Sequence, residues 1–235
     1  MTRLPSLRPP IGFAHRGARA NAPENTIEAF TLAGRLGADG MESDAWITAD
    51  GIVVLDHDGV VGRRPRRRSI AEAARAELPD HIPTLAEYYE AIGTTYEFSI
   101  DVKDAAAVAE IIACARDFDA ESRLWLCHPD RELVASWRSM SADINLVEST
   151  RAARFVGGPE LHLARSASLG IDVINLHHSD WTGGLIAMVH RFEMLAFGWD
   201  AQHERVLDDL LDSGIDGVYS DHVDRMVPAI ARVVG

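Results

Sequence analysis

The chain is short of cysteine, short of positive charge and free of long apolar runs, and each shortage excludes a class of protein. It has only two cysteines, Cys114 and Cys127, and no CxxC pair. That excludes a disulfide framework and fits a reducing compartment. The formal net charge is −13. Nucleic acid and anionic membrane surfaces are recognised by clustered Lys and Arg, so neither is expected as the main partner, although a small anion held by local cations is compatible with this balance. Nowhere does an apolar run approach the roughly 18 residues of a membrane-spanning helix, and "MTRLPSLRPPIGF" lacks an apolar stretch of signal-peptide length. A soluble, cytoplasmic protein without stable membrane insertion is expected. No Ser/Gly/Pro-rich linker, low-complexity tract or internal repeat divides the chain, and nothing in it signals an oligomeric state. What is present is ordinary globular material, 47% hydrophobic and 25% charged, expected to form one domain over residues 1–235.

Short β-branched or apolar runs recur, most of them followed by apolar residues at helical spacing. Nine runs read as strands: 11–15, 39–44, 52–57, 96–102, 123–127, 144–148, 172–176, 194–199 and 217–220. Between them, Ile27, Phe30, Ala33 and Leu36 make one helical face with Gly37 as its stop, and Val206, Leu207, Leu210 and Leu211 make another ahead of Gly214. Strand and helix in alternation imply a parallel sheet covered on both faces.

Nine strands are one too many for an eight-stranded barrel, and "MESDAWITADGIVVLDHD" resolves the count. Only residues 46–51 separate the second run from the third, far fewer than a parallel crossover requires, and Asp50-Gly51 is a strong hairpin signal. Residues 46–48 and 52–55 should therefore pair antiparallel, as an extension that rises above the barrel mouth and returns His57 over it. Eight strands remain. The expected fold is an α/β (β/α)8 TIM barrel, an architecture of about 250 residues whose chemistry sits at the carboxyl ends of its strands, with a short hairpin and loop insertion over the mouth.

The residues at those strand ends are polar: His15-Arg16, Glu42 and Asp44, Asp101 and Lys103, Cys127-His128, His177, Trp199-Asp200 and Ser220-Asp221. Glu42 and Asp44 are two residues apart and face the same way on a strand. Asp101 and Lys103 repeat this arrangement, placed two strands away by the count of runs. Three converging carboxylates repel one another unless a cation lies among them, and all-oxygen donors favour magnesium or calcium over zinc. Histidine is the side chain whose ordinary pKa suits proton transfer near neutral pH, which makes His15 and His57 the acid/base candidates. Arg16 and Lys103 supply donors that suit phosphate oxygens; the alternative for both is a structural ion pair with Glu42 or Asp44. His128 and His177 either line the mouth or are structural. Together these residues describe phosphoryl chemistry.

"HRGARANAPENTIEAF" followed by "LGADGMESDAWITADGIVVLDHD" resembles the signature of the glycerophosphodiester phosphodiesterases, matched in order and without gaps from His15 to Asp58. "IPTL" at 82–85 and "GIDGVYSD" at 214–221 extend the likeness along most of the chain. The resemblance implies a TIM-barrel enzyme that hydrolyses a small-molecule glycerophosphodiester to glycerol 3-phosphate and an alcohol, using one divalent cation, magnesium or calcium. It further implies His15 and His57 as the acid/base pair, Glu42 and Asp44 as metal ligands and Arg16 as a phosphate contact. A neighbouring glycerol hydroxyl would attack first, giving a cyclic phosphate that water opens.

Departures from the pattern qualify this. Asp101-Val-Lys103 stands where the family has Glu-x-Lys, so the third metal ligand is one methylene shorter. Sphingomyelinase D enzymes use Asp in that role, which keeps open a lysophospholipase D or sphingomyelinase D-like activity on a lipid. Trp199-Asp200 replaces Trp-Thr, leaving Trp199 to wall the substrate site. Ser220-Asp221 replaces Thr-Asp with no proline after it. The insertion carries "RRPRRR", Arg63 to Arg68, read as a solvated loop or as a basic cap over the mouth.

Overall fold

The computed structural model describes residues 3–62 and 67–234. All nine expected strands form. Eight of them close a parallel ring in the order β1 (Ile11–Ala14), β2 (Gly40–Ile47), β6 (Glu97–Val102), β7 (Leu124–His128), β8 (Asn145–Thr150), β9 (Val173–His177), β10 (Leu195–Trp199) and β11 (Gly217–Ser220), with β11 pairing back onto β1. The ninth, β3 (Val53–Leu55), runs antiparallel to the upper half of β2, with Ala45 opposite Leu55 and Ile47 opposite Val53. Gly51 turns that hairpin at φ 80°. Thr48 donates to Asp50 at 2.6 Å and closes the loop. A small ladder of β4 (Val60–Val61) and β5 (Arg68–Ser69) follows.

One expectation needs correction. Asp101 and Lys103 are not two strands from Glu42: β6 is the third barrel strand and pairs directly with β2, Glu42 opposite Ser99 and Asp44 opposite Asp101. The physical reason is the hairpin itself, since the run 52–57 extends β2 upward and takes no place in the ring. Of the basic run, residues 63–66 lie outside the described residues. Arg68 pairs with Glu77 at 2.7 Å, and an Arg67 nitrogen lies 3.9 Å from Asp58.

Helices α1 (Ile27–Arg35), α2 (Leu85–Ile92), α3 (Val108–Asp117), α4 (Arg131–Ser136), α5 (Pro159–Ser168), α6 (Gly183–Arg191), α7 (Glu204–Asp212) and α8 (Val223–Val234) cover the outside of the ring. Strand alternation separates two cores. The outward residues, among them Met41, Phe98, Ile100, Leu126, Leu146 and Val218, pack under the helices, while Phe13, Trp125, Cys127, Val147, Val173, Phe197 and Tyr219 fill the barrel axis. Phe13 stacks on Tyr219 with centroids 4.7 Å apart and meets Phe197 at 5.6 Å. This plug forms the floor beneath the site. Among the described residues, no helix is long and apolar enough to cross a membrane.

Candidate active site

The polar strand ends stand above that floor. A cavity of about 340 Å³ opens at the carboxyl ends of the strands, with His15, Arg16, Glu42, Asp101, Trp199 and Asp221 in its wall. Asp44, Lys103 and His57 are not part of that wall; Lys103 bridges Asp44 to the lining residue Asp101.

The turn after β1 is built to present His15 and Arg16. Arg16 and Gly17 both adopt left-handed backbone, at φ 51° and 77°. A Cβ on Gly17 would come within 2.7 Å of the Ala29 backbone in α1, so only glycine lets helix and turn approach this closely. The backbone N–H of Arg16 donates to Glu42 Oε2 at 3.0 Å. Its side chain spans two acids, Nη1 lying 3.1 Å from Glu24 and Nε 3.2 Å from Asp44. The "PENT" segment supports the same group. Asn25 donates from its amide to Asp44 at 3.2 Å and accepts from Ser43 at 2.7 Å, and its backbone N–H binds the Arg16 carbonyl. Thr26 caps α1 by accepting from the Ala29 N–H at 3.1 Å.

His15 is held on two sides. Its Nδ1 lies 2.5 Å from Asp221 Oδ1, and its Nε2 is 3.7 Å from Glu42 Oε2. Burial works against protonation of this ring, but Glu42 and Asp221 outweigh it and raise the pKa above the ordinary histidine value. Asp221 is itself fixed by Gln202, whose side-chain oxygen accepts from the Asp221 N–H at 2.9 Å. Burial alone would raise the Asp221 carboxyl, yet its bond to His15 and the nearby charges of His15 and Arg19 hold it below the usual range. His57, by contrast, is 39% exposed at its side chain and pairs with its neighbour Asp58 at 2.9 Å.

The acids divide into two kinds. Asp44 is buried, with Lys103 Nζ 3.1 Å away; the same ammonium binds Asp101. Both carboxylates push the Lys103 pKa up against the opposing effect of burial. Glu42 is different: among the described residues no Lys or Arg side chain comes within ion-pair distance of it. Burial pushes Glu42 up to about 7; His15 opposes this, and the Asp44 and Asp101 charges add to it. A buried acid lacking a cationic side chain, with two more carboxylates close by and oxygen donors only, fits a hard divalent cation. In the structure Lys103 occupies the space between Asp44 and Asp101, so a full three-acid ligand set requires this ammonium to shift.

Trp199 lies across the cavity, edge-on to His177 with ring centroids 4.6 Å apart and with the Arg151 guanidinium 5.8 Å from its own ring centre. His128 accepts from the Asp130 N–H at 3.0 Å, a local turn contact. Sequence reasoning missed the support given by Asp221, Asn25 and Gln202. The closing "YSD" was the available signal for Asp221, and its partner becomes visible only once β11 closes onto β1.

A closed (β/α)8 barrel carrying acids, a histidine and two cations at the carboxyl ends of its strands has the architecture of an enzyme active site. The family model for the glycerophosphoryl diester phosphodiesterase family matches residues 15–225. Glycerophosphodiester phosphodiesterases of Caldanaerobacter subterraneus and Bacillus altitudinis are 23% and 24% identical, over 94% and 92% of this chain and 97% and 96% of theirs. Among solved structures, an Oleispira antarctica phosphodiesterase in complex with the product sn-glycerol-3-phosphate aligns with a TM-score of 0.82 at 22% identity, covering 94% of this chain and 97% of that one. The Thermotoga maritima glycerophosphodiester phosphodiesterase aligns at 0.80 and 22%, covering 93% and 97%. The chain belongs to the glycerophosphoryl diester phosphodiesterase family and is an enzyme of that class.

Proposed function

We propose that residues 1–235 form one catalytic domain that hydrolyses glycerophosphodiesters to glycerol 3-phosphate and an alcohol, with His15 and His57 as the acid/base pair. The observation that carries this reading is the His15 environment: Asp221 fixes Nδ1 at 2.5 Å, which leaves Nε2 to handle a proton. Attack of a glycerol hydroxyl on phosphorus forms the cyclic phosphate and breaks the bond to the alcohol oxygen. One histidine takes the hydroxyl proton and the other supplies a proton to the departing oxygen. Water then opens the ring with the roles reversed.

Glu42, Asp44 and Asp101 would hold one divalent cation, magnesium or calcium; when bound, it supplies positive charge for the phosphoryl oxygens. Arg16 and Lys103, already engaged with the acids, would share that charge with the phosphate, and Trp199 would wall the substrate on its apolar side. The reading is tested with a substrate panel of small glycerophosphodiesters, lysophospholipids and sphingomyelin, following products by mass spectrometry. Glycerol 3-phosphate from the small diesters is expected. Lysophosphatidate or a cyclic lipid phosphate as the main product would favour the lipid-acting alternative.

A further inference from the structure

We propose that His177, His178 and Asp200 form a second divalent-cation site, chemically distinct from the acidic one and suited to a nitrogen-preferring ion such as zinc. One ligand atom from each of the three lies within 4.8 Å of the others. Neighbouring residues on a strand face opposite ways. Here β9 ends at His177 and the chain turns tightly over His178–Asp180. The two rings therefore lie side by side, with centroids 4.3 Å apart and 36° between planes. Asp200 follows β10, whose Trp199 is in register with His177. Its left-handed backbone, φ 62°, brings the Asp200 carboxylate to 3.1 Å from His177 Nε2.

The donor set is two imidazoles and one carboxylate, which borderline ions prefer and which differs from the oxygen-only trio of Glu42, Asp44 and Asp101. An outer shell is in place as well. Ser179 fixes the His177 ring from behind, its backbone N–H donating to Nδ1 at 3.2 Å and its Oγ lying 2.7 Å from the same nitrogen, which leaves Nε2 turned toward Asp200. Gln202 donates to Asp200 Oδ1 at 3.2 Å. No Lys or Arg among the described residues comes within ion-pair distance of Asp200, whereas Asp44 and Asp101 are both occupied by Lys103. Asp200 and Trp199 line the catalytic cavity on the wall opposite Glu42 and Asp101. Three protein ligands leave a tetrahedral ion one further position for water or an anionic group of a bound molecule.

The test is a zinc titration by calorimetry in excess magnesium, which keeps the oxygen-only acids supplied with their preferred ion. Wild-type protein, His178→Ala and Asp200→Asn are compared, with thermal unfolding of each. Wild type should bind one zinc and unfold at a higher temperature with it. Each variant should lose zinc affinity by about tenfold or more, since removing even an outer-shell partner weakens metal sites on that scale. Asp200→Asn is isosteric at an exposed side chain, so it carries the test if His178→Ala does not fold. Zinc binding at wild-type strength in a folded variant, no zinc binding in the wild type, or an anomalous zinc peak away from these residues would each overturn the proposal. The readout does not involve turnover, so its failure and a failure of the proposed hydrolysis are distinguishable.

Discussion

If His15 is part of the acid/base pair, Asp221 acts on the reaction through it. Its carboxylate accepts from His15 Nδ1–H and so selects the tautomer that leaves Nε2 facing Glu42 and the cavity. Asp221→Asn can present an amide N–H to the same nitrogen and force the other tautomer. We expect kcat to fall by about 1,000-fold or more with KM little changed, the pattern of a mis-set imidazole, while Asp221→Glu recovers part of the rate. Equal losses in kcat and stability from both variants would make Asp221 merely structural. His15→Ala and His57→Ala should each lower turnover by roughly 100-fold to 10,000-fold, measured on folded protein. Near-wild-type turnover in either would remove that histidine from the acid/base pair. Asp101→Asn should weaken divalent-cation affinity in a metal titration. Lys103→Ala should instead lower kcat/KM by about 100-fold without weakening cation affinity, since its removal frees Asp44 and Asp101. If both variants bind the cation as the wild type does, the third ligand lies elsewhere.

The hairpin of β2 and β3 shows how far single elements could be read from sequence. Asp50-Gly51 and the short spacing around it were enough to take the run 52–57 out of the ring, and the alternation of Glu42 with Asp44 and of Asp101 with Lys103 was enough to put four charges on one rim. The adjacency of β2 and β6 was not legible, because strand order depends on pairings between segments distant in the chain. The same holds for Asp221, which lies 206 positions from His15 and meets it only through barrel closure. The exposure of His57 depends on the loop after β3, where turn geometry and not hydrophobic pattern decides orientation. That loop makes its own prediction. Gly59 has φ 65°, and a Cβ there would sit 2.3 Å from the Trp46 ring. Gly59→Ala should cost about 1–3 kcal/mol in urea unfolding, through overpacking and strain. Wild-type stability would mean that Trp46 does not cover this turn.

At the scale of the molecule, the aromatic plug of Phe13, Trp125, Phe197 and Tyr219 fills the barrel axis beneath the charged mouth. Phe13 is fully buried and contacts the other three rings. Phe13→Ala should therefore destabilise by about 3–5 kcal/mol, and its effect on turnover should follow the loss of folded protein. Above the plug, a buried acid without a cationic side chain, an oriented histidine and two cations share one cavity. From that arrangement we expect a phosphodiester substrate and dependence on a divalent cation. The most direct measurement is a ³¹P NMR time course of glycerophosphoethanolamine with exhaustively chelated protein, to which magnesium or calcium is then added. The account predicts no change before addition and conversion to the glycerol 3-phosphate signal after it. Full turnover by the metal-free protein, or a diester signal that persists after the cation is restored, would contradict it.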